Sequence, residues 1–187
     1  MFISKYRLYL MWTIAIVILI VVGTCNVTKA GDWEFNIMGI TSKHIKNRDW
    51  KAVALGAVSS LVVHEAGHLL WAETHGGGHF DWDERAVIME DYDKRSHSEQ
   101  QMFYRAGFLA QLIVGGTLTA IPKTRYSDFA VGFNSLATIE MGTYVLVGHG
   151  NDDTNDVKQL DHGGVECAIY TIGTGVLSYI NIKKPVE

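Results

Sequence analysis

The chain has 187 residues, 48% of them hydrophobic and 19% charged, with a net charge of −4. That length fits one domain behind a targeting segment, in a chain greasier than a typical soluble domain. No basic block is present, which excludes a nucleic-acid-binding protein, and the two cysteines form neither a disulfide framework nor a Cys-x-x-Cys zinc knuckle.

Residues 1–30 carry the pattern of a signal peptide or an uncleaved membrane anchor. Lys5 and Arg7 precede an apolar stretch from Leu8 to Val22, interrupted at Thr13. Thr28-Lys29-Ala30 then places small residues where signal peptidase requires them. Val22-Gly23-Thr24-Cys25 resembles a lipobox, but threonine before the cysteine is wrong for one. Cys167 lies in an apolar run and reads as a small buried residue.

Residues 31–187 read as a single helical domain. Gly31 to Trp50 is a loop or short amphipathic segment, with tryptophans suited to a membrane interface. A helix is expected from Ala52 to Glu73, stopped by Gly76-Gly77-Gly78. Gly76 to Gln100 is polar, with Ala86-Val87-Ile88-Met89 as a strand and a small β-hairpin expected near 79–90. Three more helices follow: Gln101 to Ile121, ended by Pro122; Tyr126 to Val147; and Gly164 to Ile182. Between the last two lies an acidic, turn-rich segment from Gly148 to Asp161. The expected fold is therefore all-α, a membrane-associated bundle of about four helices. Ionisable residues inside these apolar helices, Arg105 and Glu140 among them, belong in a bundle interior. If the N-terminus stays inside and every hydrophobic segment crosses, most Lys and Arg fall outside, against the positive-inside bias. On that count, either some helices do not cross or the bundle lies on the outer side.

The chemistry is concentrated in His64-Glu65-Ala66-Gly67-His68, set within the first long apolar helix. Residues four apart share a helix face, so His64 and His68 can bind one tetrahedral zinc ion, Zn2+. Glu65, one residue round, then reaches the activated water as general base. Burying these groups without a partner would cost on the order of several kcal/mol each, a cost that a metal removes. A catalytic zinc needs a third protein ligand. Ten residues after His64 stands Thr74, so the extended motif with a third histidine fails. The acidic segment is the better source, because an up-and-down bundle returns it to the same end as the motif helix's C-terminus. Within it Asp156 is preferred, since Asn155-Asp156 opens a short apolar-periodic turn. Asp153 and Asp161 are the alternates, and His149 a weaker one. A calcium loop fails there, with Asp156 where glycine is needed and His162 where the closing glutamate belongs.

Two further residues are candidates for an outer layer around the site. Gln111 could bond a ligand or substrate backbone, or simply join two helices. Glu140 could hold a histidine Nδ1–H, or form a core pair with Arg105. His75 and His79 flank the triple glycine, whose spacing does not match a phosphate loop.

Three stretches carry a family resemblance. His64-Glu65-Ala66-Gly67-His68, Ala106-Gly107-Phe108-Leu109-Ala110-Gln111, and Asn155-Asp156-Val157 with Leu160-Asp161-His162-Gly163-Gly164 resemble segments of the site-2-protease type of bacterial intramembrane metallopeptidase. The proline-containing Asn…Asp-Gly signature of that type is absent, since no proline lies between Pro122 and Pro185. The resemblance implies zinc-dependent hydrolysis of a peptide or protein substrate at the bacterial inner membrane or its exported side. It also implies that Asp156 supplies the third ligand. A non-catalytic metal-binding or interaction protein that keeps the same site is the alternative.

Overall fold

The structure, a computed structural model, describes residues 36–38, 40–82, 86–147 and 160–183. The signal or anchor assigned to residues 1–30 lies outside them. The described chain begins with a small antiparallel ladder, β1 (Asn36–Ile37) with β2 (Ile40–Thr41), and a one-turn helix α1 (Ser42–Lys46). Four long helices follow: α2 (Trp50–Thr74), α3 (His97–Ala120), α4 (Asp128–Val147) and α5 (Gly163–Ile182). Between α2 and α3 lies one antiparallel hairpin, β3 (Gly78–Asp81) with β4 (Ala86–Met89). The fold is thus all-α with a small hairpin, as the sequence led one to expect.

The helix starts differ from expectation for identifiable reasons. α2 begins at Trp50 because the Asp49 carboxylate accepts from the Lys51 amide at 3.0 Å, satisfying a first-turn donor. α3 begins four residues before Gln101, inside the polar stretch. There Ser96 and Glu99 form a capping box, Glu99 Oε2 accepting from the Ser96 amide at 2.9 Å. α4 begins at Asp128, where the Ser127 hydroxyl accepts from the Ala130 amide at 3.1 Å. At the other end of α2 the chain turns through Gly76 and Gly77, with φ of 113° and 114°. Those left-handed angles suit glycine and feed the chain directly into β3.

α2 packs on both α3 and α4, while α5 packs mainly on α4. The hairpin folds back on the C-terminal half of α2, its Val87 and Met89 closing a core with Ala72 and Phe103. A second core, Phe108, Met141, Leu160 and Cys167, joins α3, α4 and α5. Cys167 is buried, as its apolar run suggested.

What the helices bury is unusual. The buried residues of α2 are Gly56, Ser60, His64, His68 and Ala72, a stripe at every fourth position with no large aliphatic side chain in it. Val62 on the same helix is 62% exposed and Ile172 on α5 is 68% exposed. Polar bonds bind the interior instead. Asn134 Nδ2 donates to Asn181 Oδ1 at 2.6 Å, and the Arg105 guanidinium forks onto Glu166 with two bonds of 2.7 Å. Arg105 therefore does not pair with Glu140, the partner weighed for it from sequence; its side chain reaches across to α5. Small residues and hydrogen bonds at the helix crossings, with large aliphatic side chains outside, are compatible with a bundle that faces lipid. Among the described residues two helices, α2 and α5, are long and apolar enough to cross a membrane.

Candidate metal centre

His64 and His68 project from the buried stripe of α2 toward α3. They are 3% and 4% exposed, and their rings meet edge to face with centroids 4.8 Å apart. Their Nε2 atoms stand 3.1 Å apart. Two nitrogens each about 2.0–2.1 Å from a tetrahedral ion lie about 3.3 Å from one another, so the spacing is nearly that of two zinc ligands.

The partners on the far sides of the rings decide which nitrogens carry hydrogen. His68 Nδ1 lies 2.8 Å from the Phe103 carbonyl oxygen, which can only accept. His64 Nδ1 lies 3.1 Å from Gln111 Oε1. The orientation of that amide is set at its other end. Gln111 Nε2 donates to Glu140 Oε2 at 2.8 Å and to the Ser60 carbonyl at 3.2 Å. The amide oxygen must then face His64 and accept from it. Both imidazoles thus place a hydrogen on Nδ1, and their Nε2 atoms, 3.1 Å apart, are the nitrogens turned toward one another. Two Nε2 atoms this close can share one cation when neither carries hydrogen. An acceptor on each ligand's Nδ1–H is also the arrangement that orients and strengthens metal-bound histidines.

The opposite wall is Gly107. A Cβ there would stand 2.5 Å from His68 Nε2 and 2.8 Å from His64 Nε2. The glycine therefore keeps open a position within reach of both nitrogens at once. Phe103, Gly107 and Gln111 are four residues apart on α3 and face Ser60, His64 and His68 at the same spacing on α2. His64 and His68 supply two nitrogen donors at a spacing that a zinc ion accepts, and such a site needs at least one more protein ligand. Glu65 lies one residue round from His64 and is half-buried.

Of the other residues singled out from sequence, Asp156, Asp153 and His149 lie outside the described residues. Asp161 sits at the surface, its carboxylate 2.8 Å from His97 Nε2, away from the two histidines. Among the described residues no third His, Cys, Asp or Glu joins the pair. The end of the acidic segment does return to this region. Leu160 packs against Phe108, whose ring lies edge-on to His64 at 5.0 Å, and the Asp161 amide donates to Gln101 Oε1 at 3.0 Å. Glu140 stands one bond further out than expected, on Gln111 and not on a histidine. His75 stacks on Trp71 at 3.7 Å, and His79 is exposed.

Three contributors were not visible from residue type. The Phe103 carbonyl is a backbone atom, and Gly107 contributes by lacking a side chain. Ser60 belongs to no motif. The available signal was spacing, since Phe103, Gly107 and Gln111 repeat the four-residue interval of the motif helix.

No protein-family model matches the chain, and no curated protein or solved structure is similar to it.

Proposed function

We propose that the protein is a zinc-dependent metallopeptidase of the bacterial inner membrane or its exported side. The observation that carries this reading is the pair of Nε2 atoms, 3.1 Å apart beside Gly107, with an acceptor on each Nδ1–H. His64 and His68 would hold the metal, and an acid of the 148–161 segment, Asp156 first among them, would complete its ligands. Zinc bound there supplies Lewis acidity, making water a competent nucleophile near neutral pH and polarising a peptide carbonyl. The Phe103 carbonyl and Gln111 fix the two rings with Nε2 turned toward the metal position. Glu140 and Ser60 fix Gln111 in turn. Glu65 takes the proton of the attacking water and passes it to the amine that leaves as the peptide bond breaks.

Replacing Glu65 tests this directly. Glu65→Gln preserves size and hydrogen bonding but cannot accept the proton. Zinc content should be unchanged, while hydrolysis of an unfolded protein substrate falls by about 100-fold or more. Loss of zinc along with activity would make Glu65 a structural residue. Zinc without hydrolysis in the unsubstituted protein would favour the non-catalytic metal-binding alternative.

A further inference from the structure

The surface of the bundle is sorted into three zones, and together they orient it. Contacts define one end. Arg48 bonds Asp128 Oδ1 and the Ile182 carbonyl, each at 2.8 Å, drawing the start of α4 and the end of α5 to the start of α2. Lys43, Lys46, Lys51, Lys123 and Lys183 are exposed at that end. The described acids there are Asp49 and Asp128, and Asp128 also accepts from the Asp49 amide at 2.8 Å. The opposite end carries the hairpin and the starts of α3 and α5, joined by His97 and Asp161. Exposed there are Glu73, Glu90, Asp91, Asp93 and Asp161, with Glu99 half-buried beside them. Of the two described cations at that end, Lys94 pairs with Asp91 at 2.8 Å and Arg95 is half-buried.

Between the ends the outer surface is apolar. Leu55, Val62, Leu70, Ile113, Ile169 and Ile172 are each more than 60% exposed. The described charged side chains of this middle zone, Glu65, Arg105, Glu140 and Glu166, are half-buried or buried. An apolar belt between a basic and an acidic end matches a bilayer with one anionic, cation-attracting face.

We propose that acyl chains cover this belt, that the basic end lies on the anionic headgroups of the cytoplasmic leaflet, and that the acidic end faces the exported side. This rests on the membrane placement above and is independent of the zinc. It reverses the orientation counted from an N-terminus held inside with every hydrophobic segment crossing. It also sets the depth of the histidine pair. His64 and His68 precede the end of α2 by ten and six residues, so they lie about 9–15 Å below the acidic end at 1.5 Å per residue. The protein's substrates would then be met from the exported side.

The test uses the full chain in a bacterial inner membrane, with Cys25 replaced by serine and the parent lacking added cysteine as the background. Asp93→Cys and Lys123→Cys are labelled with a membrane-impermeant maleimide, on spheroplasts and on inverted vesicles. Glu73→Cys and Lys43→Cys repeat the comparison should either first variant fail to accumulate. The Cys at 93 should label on spheroplasts, and the Cys at 123 only on inverted vesicles. The opposite pattern overturns the orientation, and labelling of both from one side overturns the crossing. Release of the protein by alkaline carbonate would instead remove the membrane placement itself. Joint replacement of Lys43, Lys46 and Lys51 by Glu should scramble the labelling; an unchanged pattern would show that these charges do not set the orientation.

Discussion

Helix α2 makes two close crossings, and glycine serves a different end in each. Against α4, a Cβ on Gly56 would meet the Phe129 carbonyl oxygen and one on Gly132 would meet the Val53 carbonyl oxygen. Backbone there touches backbone, and the glycines exist to let it. Against α3, Gly67 again faces a backbone group, the Ala106 carbonyl, but a Cβ on Gly107 would meet imidazole nitrogens. The first crossing is closed by main chain. The second leaves, beside Gly107, an opening bordered by two imidazole nitrogens. What stands opposite a glycine, and not the glycine itself, separates a packing contact from a binding site.

Substitution can separate the two. Gly107→Ala places a methyl group in the opening, so zinc affinity should fall by about 100-fold, or about 2.8 kcal/mol at 1.4 kcal/mol per tenfold change. Competition with a chelator of known affinity reads this out, and an unchanged affinity would show that Gly107 does not border the metal. Gly132→Ala forces two backbones apart, so it should lower stability by about 2 kcal/mol, within the range for overpacking. The unfolding midpoint in mild detergent checks it, while zinc affinity of the folded fraction should be unchanged. Gln111→Leu removes the acceptor of the His64 Nδ1–H and should weaken zinc by about tenfold. Equal weakening in Glu140→Gln would place that carboxylate's effect through Gln111. The smallest effect expected is that of Ser96→Ala, about 1 kcal/mol of stability from the lost cap, with no change in zinc.

Much of the fold was legible because apolar runs of helical length are bounded by glycine, proline and capping residues. The start of α3 was not, since the turn from His97 to Gln100 is polar and only its Ser96–Glu99 box marks it. Of the site, the pairing of His64 with His68 was legible through spacing alone. The roles of Gln111 and Glu140 were visible only as alternatives, because a polar residue in an apolar helix says that it needs a partner and not which one. The structure resolves that choice for both: Gln111 on His64, Glu140 on Gln111, and Arg105 on Glu166. A backbone acceptor such as Phe103 leaves no mark on sequence. The residues favoured as third ligand, Asp156 and Asp153, belong to the acidic segment outside the described residues.

The central claim is that His64 and His68 together hold a metal. Elemental analysis of the gently purified full chain, beside His68→Ala prepared identically, tests it most directly. The expected result is about one zinc per chain in the unsubstituted protein and a loss of most of it in His68→Ala. No transition metal in the unsubstituted protein, or equal zinc in both, would contradict it.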